Sequence, residues 1–184
     1  RVRALPKTEG APPIWMLGSS DFGGAYAAHF GIGFSFAHFI NPAGGDQVMR
    51  AYFEKFQPSR RLDRPVANIG VFVVCAETDE EAQRIVATRD LQRLRADQGR
   101  HGPMPSIEDA TSYPYSAPER ERVRYNRART VVGDPAAVKA ELLGLAGRYG
   151  VDEVLVITNV YNFADRLRSY ELLAEAFDLQ PPAA

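Results

Sequence analysis

Four short runs of apolar residues divide the chain. They occupy residues 14–17 (IWML), 33–39 (GFSFAHF), 69–75 (IGVFVVC) and 154–157 (VLVI). The runs are rich in aromatic and β-branched residues, and polar residues do not alternate with apolar ones. This pattern is typical of strands that are buried on both faces in a parallel sheet. We therefore expect four strands, here called the first to fourth predicted strands.

Each predicted strand is followed by a segment with helical features. The first short helix ends before Gly31, where glycine favours a left-handed cap. Further helices are predicted at 45–56, at 79–96 after a capping box formed by Thr78 and Glu81, and at 135–149 after the N-cap residue Asp134. A last helix is expected at 165–177. Its predicted inward residues are Leu167, Tyr170, Ala174 and Phe177.

Alternating strands and helices predict an α/β fold in which parallel βα units form one sheet. An open doubly wound sheet and part of a (βα)8 barrel both satisfy this pattern. The regular pattern fails at about 97–130, where Gly, Pro and Ser recur and a charged segment at 119–129 could form one exposed helix. We expect a single domain over 1–184 that carries this irregular insertion.

Charge and cysteine content narrow the function classes. The chain has 22 Lys and Arg against 23 Asp and Glu, so its charge gives no case for binding nucleic acid or an anionic membrane. Cys75 cannot form an internal disulfide, and no apolar run approaches the ~20 residues of a membrane-spanning helix. Residues 1–6 are too short for a signal peptide. A cytoplasmic protein is expected, and its first residue, Arg1, suggests a piece of a longer chain.

The turn after the first predicted strand has the chemistry of a phosphate site. Gly18, Ser19 and Ser20 are followed by Gly23 at the start of a helix. Serine hydroxyls, free amides at a helix N-terminus and glycines that admit an anion are what such a site requires. A simple helix cap would use the same residues. The turn is neither a Walker loop nor a dinucleotide fingerprint.

Three blocks in order resemble the bacterial luciferase-like flavin monooxygenases. The first is PIWMLGSS at 13–20, with AYAA at 25–28, Gly31 and FSFAHF at 34–39. The others are VVGDP at 131–135 with GVDEV at 150–154, and RLRSYELLA at 166–174. Together they cover nearly the whole chain. The correspondence is to the C-terminal half of that family's proteins.

The resemblance implies the C-terminal half of a TIM (βα)8 barrel and an FMN-dependent monooxygenase. Reduced flavin, supplied by a reductase, would react with oxygen to oxidise a small organic substrate; deazaflavin-linked oxidoreductases share the resemblance. The FMN phosphate would be held by Ser19, Ser20 and the backbone of Gly23. A non-catalytic, truncated flavin-binding or structural subunit is the alternative function.

The family likeness also implies that the first four barrel strands are absent. The first and fourth predicted strands would then be open edges of the sheet, with unpaired backbone groups beside apolar side chains. We expect a homodimer or association with an N-terminal half. The chain alone is expected to be inactive.

Several other polar residues allow both a functional and a structural interpretation. His38 ends the second strand and is either a proton-transfer group at the active face or a buried histidine bonded to the backbone. Arg127 and Arg129 could approach an anionic ligand or lie on a solvated helix. Arg166 and Arg168 are expected to pair with Asp165 or Glu171 rather than contact flavin. Cys75 is expected to be an inert buried thiol. Asn159, Tyr161 and Asn162 follow the fourth strand and are expected at the active face. His29 and His101 are too scattered in the sequence to indicate a metal site.

Overall fold

The computed structural model describes Gly10 and residues 12–180, so the segment 1–6 lies outside the described residues. The described part contains five strands and seven helices. In chain order these are β1 (Trp15–Gly18), α1 (Asp21–Phe30), β2 (Gly33–Ala37), α2 (Gly45–Lys55), β3 (Ala67–Cys75), α3 (Asp79–Asp97), α4 (Ile107–Ser112), α5 (Ala117–Arg127), β4 (Thr130–Gly133), α6 (Pro135–Tyr149), β5 (Val154–Ile157) and α7 (Phe163–Ala176).

All five strands run parallel in one sheet. β1 pairs with β2, and β2 pairs with residues 67–70 of β3. β4 pairs with residues 72–75 of β3, and β5 pairs with residues 69–72. Because the β5 pairing overlaps both of the others, β5 lies on the opposite edge of β3 from β2 and β4. The predicted parallel order of the four strands, here β1, β2, β3 and β5, is confirmed.

The nine residues of β3 separate two apolar cores. Ile69, Val71 and Val73 point to the larger core, where α1, α2, α6 and α7 cover the sheet. Val74 points to the other face and packs against residues of α3 such as Ile85. We call this second face the inner face. The α/β architecture is that of half a (βα)8 barrel, as the family resemblance implies, with α3 packed over the inner face.

The segment 97–130 is more regular than the sequence predicts. It contains α4 and α5, each with a capping box, and α5 confirms the exposed helix considered for this segment. A fifth strand, β4, begins at its last residue, Thr130, and corrects the expectation of four strands. Sequence pattern missed β4 because only two of its four residues are apolar. It is a strand because the end of β3 projects beyond β2 and offers it free backbone groups.

Two expectations about burial are wrong. β1 and β5 are not buried on both faces, since Leu17 is 58% exposed and Leu155 is 44% exposed. Each strand pairs along one edge only, so less of its surface is covered. On α7, Leu167 is exposed, whereas Leu172 and Leu173 are buried. The helix begins two residues earlier than expected; of the predicted inward residues, Phe177 does pack against the larger core.

The residues that the sequence predicts as helix caps do cap the helices in the structure. Gly31 has φ +59°, and a Cβ there would lie 2.4 Å from the Gln57 carbonyl oxygen, so glycine is required on both conformational and steric grounds. Gly150 caps α6 in the same left-handed region. The Asp134 and Thr78 side chains accept hydrogen bonds from the third backbone amide of α6 and α3 respectively. These caps fix where the helices begin and end around the sheet.

Tyr52 provides a test of the larger core. Its hydroxyl lies 3.0 Å from the carbonyl oxygens of both Ile32 and Val66 and accepts from the Val66 amide at 3.2 Å. Tyr52→Phe leaves these backbone groups without that partner, so we expect a loss of about 1–3 kcal/mol in the free energy of unfolding. Urea denaturation measures the loss. Tyr26→Phe, at an exposed ring, is the control, and equal effects of the two changes would contradict this role for Tyr52.

Candidate functional site

The predicted phosphate turn lies between β1 and α1. Gly18 ends the strand, Ser20 is the N-cap residue of α1, and Asp21 is the first helical residue. Ser20 has extended backbone angles (φ −141°, ψ 164°), and its side chain makes no capping hydrogen bond. The structure gives the Ser19 hydroxyl no partner within the described residues either. Both hydroxyls are therefore available to a ligand at this end of the helix.

Gly23 lies in the first turn of α1, beside the end of β1. A Cβ on Gly23 would sit 3.4 Å from the Phe34 ring and 3.5 Å from the Gly18 Cα, which are ordinary contacts. Internal packing therefore does not demand glycine here. The absence of a side chain does leave the first-turn amides open, and these amides attract anions through the helix dipole. The turn fits a phosphate group by donor type and by access.

His38 lies immediately beyond β2 and is 5% exposed. Its Nδ1 is 2.9 Å from the Tyr149 hydroxyl, and the two rings meet edge to face. Tyr149 belongs to α6 and to the larger core, so the imidazole faces the helices rather than the inner face. The burial agrees with the interpretation of His38 as a buried histidine, although the ring contacts the Tyr149 hydroxyl as well as the backbone of Ala128. A catalytic role for His38 stays a prediction.

Burial lowers the pKa of His38 from its ordinary value of 6.5, and the positive charge of Arg148 lowers it further, against the opposing effect of the Ala128 carbonyl. The neutral imidazole is therefore favoured in the folded protein. Cys75 is also buried, and its pKa is raised to about 11 chiefly by that burial. A thiol in this state is a poor nucleophile, which agrees with the inert role expected for it.

The arginines considered for ligand contact differ in their partners. Arg127 is bound to the buried carboxylate of Asp90, with its Nη2 2.6 Å from Oδ2. Arg129 forms no ion pair within the described residues; it donates to the Ile40 carbonyl and to Asn126. Of these two arginines, Arg129 is the one with no carboxylate at ion-pair distance among the described residues.

Some of the residues near β5 and α7 make ion pairs or hydrogen bonds within the fold, whereas others face solvent or a cavity. Arg168 pairs with Glu77, Glu171 and Glu175, which confirms the expected ion pair with Glu171. Arg166 lies over the Tyr170 ring instead of pairing with a carboxylate. Asn162 caps α7 and bonds to Asp165. Tyr161 is exposed, and Asn159 lines a cavity on the inner face.

Sequence reasoning missed two buried charged residues on α3, Arg89 and Asp90. They follow Ile85 and Val86 by four positions, which places them on the same buried face of the helix. That spacing is the signal that could have found them. Asp90 holds Arg127, and the Arg89 guanidinium lies 3.7 Å from the centre of the Phe72 ring.

The described residues contain neither a cluster of metal ligands nor a membrane-spanning helix. No three of their His, Cys, Asp or Glu side chains come together as a metal site would require. Across residues 12–180, no helix combines the length and the apolar character needed to cross a bilayer.

The chain is similar to luciferase-like monooxygenases in sequence and in fold. The family model of the luciferase-like monooxygenases matches residues 1–153. The uncharacterized protein YceB of Bacillus subtilis (strain 168) is 43% identical over 176 residues, which are 96% of this chain and 53% of that protein. The chain spans about half the length of the curated relatives it matches.

Solved structures agree. The crystal structure of apo-MsnO8 has a TM-score of 0.88 and 37% identity, covering 96% of this chain and 54% of that one. The oxygenating constituent of 3,6-diketocamphane monooxygenase from Pseudomonas putida, solved in complex with FMN, has a TM-score of 0.54 and 22% identity, covering 94% of this chain and 50% of that one. The second likeness is one of fold.

The lowered pKa of His38 predicts the direction in which the stability of the folded chain changes with pH. Below pH 6.5 the unfolded chain protonates this imidazole while the folded chain does not, so the free energy of unfolding falls as the pH drops below that value. Replacing His38 with Gln removes this contribution. We expect denaturation at pH 7 and pH 5 to show a smaller loss in His38→Gln than in the wild type. His29→Gln, at an exposed position, is the control; an unchanged pH dependence in His38→Gln would contradict the assignment.

Proposed function

We propose, since this chain belongs to the luciferase-like monooxygenase family, that it forms the phosphate-binding half of an FMN-dependent monooxygenase barrel. The observation that carries the proposal is the turn at Ser19 and Ser20. It combines two hydroxyls that have no partner among the described residues and the open first turn of α1, at the carboxyl end of a parallel strand. Binding sites in (βα)8 barrels lie at that end of the strands.

Each part of the turn has a distinct task. The Ser19 and Ser20 hydroxyls donate hydrogen bonds to the phosphate oxygens, and the amide of Gly23 adds a backbone donor. When bound, the flavin supplies the redox chemistry with oxygen. The chain holds the phosphate at a fixed place on the sheet and thereby orients the rest of the cofactor. The flavin is proposed to arrive reduced, from a separate reductase.

The edges of the sheet support an association as part of this function. Leu17 on β1 and Leu155 on β5 expose apolar surface beside unpaired strand edges. On the inner face, the buried Ser35 Oγ and Asn68 Oδ1 have no hydrogen-bond partner within the described residues, and these two residues are register neighbours. Buried polar atoms are normally paired. We propose that another polypeptide segment covers this face and these edges, and that turnover requires an N-terminal half.

A flavin-binding subunit without turnover is the second candidate. The position of His38 favours it, because the one histidine predicted to be catalytic faces α6 instead of the inner face. Consumption of oxygen by the chain with reduced FMN and a substrate, above the spontaneous rate, would rule this candidate out.

The phosphate site is tested by Ser19→Ala combined with Ser20→Ala. Each hydroxyl bonded to a charged group contributes roughly 1.5–3 kcal/mol, so we expect FMN affinity to fall at least about tenfold. Flavin fluorescence measures the binding. Riboflavin, which lacks the phosphate, should bind both proteins equally. Thr111→Ala with Ser112→Ala on α4 is the matched control; unchanged FMN affinity in the Ser19 and Ser20 variant rejects the site.

The association is tested on the chain by light scattering. We expect a mass of at least a dimer, against 20.3 kDa for one chain. Leu17→Lys puts a charge on the open edge of β1 and should shift the population towards the monomer, because edge lysines oppose strand pairing. Leu143→Lys, at an equally exposed leucine of α6, is the control. A wild-type monomer that oxidises a substrate with reduced FMN would contradict the proposal.

A further inference from the structure

A cavity of about 290 Å³ lies between the inner face of the sheet and the helices packed over it. Phe39 and Phe72 contribute from the sheet side, and Asn159 from the loop after β5. The helical side is strongly basic. It is formed by α3, the loop after it and the end of α5, through Gln92, Ala96, Gly102, Asn126 and the basic residues Arg89, Arg93, Arg100, His101 and Arg129. The cavity has four arginines and no acidic residue in its lining.

Three of the four arginines, Arg89, Arg100 and Arg129, have no carboxylate partner within the described residues; Arg100 donates to Gln98 and Tyr113. Arg93 pairs with Asp97, which also binds Arg122. By contrast, Arg89 donates only to the Thr130 hydroxyl, at 3.1 Å, and Arg129 donates to a carbonyl and an amide oxygen. Arg89 is 8% exposed, and charged groups buried to this extent are normally paired. The cavity wall therefore holds one buried and one half-buried guanidinium, those of Arg89 and Arg129, without a carboxylate partner in the part of the chain that the structure describes.

The positive charges also oppose one another. Burial lowers the pKa of Arg89 to about 10, and the charges of Arg129, Arg93 and Arg127 add to this effect against the opposing effect of Asp90. Burial likewise lowers the pKa of Arg129, with Arg93 contributing in the same direction. Both guanidinium groups remain charged near neutral pH. An anion in the cavity would relieve the repulsion between them.

The shape of the Arg89 environment indicates what kind of anion fits. One Nη of the guanidinium is held by Thr130, and the plane stacks on Phe72, so the group is fixed in orientation. A fixed, planar fork of donors matches a carboxylate, which it can bind through two hydrogen bonds. Phe39 and Phe72 meet edge to face with centroids 5.3 Å apart and provide an apolar floor. An inorganic anion would leave that floor without a contact.

We infer that this cavity binds the carboxylate of a small organic molecule, with Arg89 and Arg129 as the anion-binding residues and the two phenylalanine rings against its apolar part. As a statement about substrate class, this rests on the proposed monooxygenase function: the substrate would be an organic acid oriented by its carboxylate. As a statement about binding, it stands on the cavity itself. The FMN phosphate would then occupy the separate turn at Ser19 and Ser20.

The experiment uses benzoate as the probe, with benzamide as its neutral counterpart of the same shape. We expect ligand-observed NMR to show that benzoate binds at least about tenfold more tightly than benzamide, because a hydrogen-bonded charge contributes more than a neutral group. Arg129→Gln should reduce benzoate affinity by a similar factor. Arg84→Gln, at an exposed arginine of the same helix α3, should leave it unchanged.

Arg89 requires a second variant because its side chain is buried. Arg89→Met keeps the bulk and removes the charge, and circular dichroism checks that it folds. Loss of benzoate binding in a folded Arg89→Met supports the inference. If Arg89→Met does not fold, Arg129→Gln decides alone. Equal binding of benzoate and benzamide, or benzoate affinity unaffected by Arg129→Gln, overturns it.

Inorganic phosphate and FMN are titrated in parallel to separate the possible sources of the anion. If Arg129→Gln weakens phosphate and FMN but benzoate does not bind, the cavity is a flavin phosphate site and the inference is wrong. The Ser19 and Ser20 double variant should lose FMN and keep benzoate. Benzoate binding without any FMN binding would leave the cavity assigned as an organic-acid site and reject the proposed function instead.

Discussion

The rest of the structure depends on β3 being covered on both faces and along both edges. Its odd-numbered residues from Ile69 onward anchor the helix-covered core, while Val74 and Phe72 face the inner side. Its backbone pairs with β2 and β4 on one edge and β5 on the other. A nine-residue strand in which polar and apolar residues do not alternate can be covered on both faces and paired along both edges, because apolar side chains suit either face. Every proposed site is positioned relative to this strand.

The packing of α3 over the inner face encloses a cavity on one side of the sheet. The same helix places Ile85 and Val86 in an apolar cluster near its start and Arg89 over Phe72 one turn later. Burial of an arginine without a carboxylate is costly, so it is an unusual feature to find in a wall that merely closes a core. The helix is thus both a cover for the sheet and the carrier of the cavity's charge.

The two candidate sites place different demands on the chain. The turn at Ser19 and Ser20 uses groups that any strand-to-helix junction can offer, and its specificity comes from its place at the end of β1. The arginine cavity is assembled from α3, the end of α5 and the loop after β5, which lie far apart in sequence. The inner face also carries the Ser35 and Asn68 atoms that have no partner in the described part of the chain, and there the proposed partner segment would close the barrel.

The sequence by itself determined the α/β class, the parallel strands, the helix caps and the serine turn, because apolar runs, Gly31, Asp134 and Ser20 act through local backbone chemistry. It also carried the family likeness through contiguous blocks. Only the tertiary structure decided that β4 pairs with the free end of β3, that β1 and β5 are half exposed, and that His38 turns towards Tyr149. The cavity around Arg89 likewise came only from the fold. Which partner a polar side chain finds depends on contacts between distant segments, and local pattern holds no information about those distances.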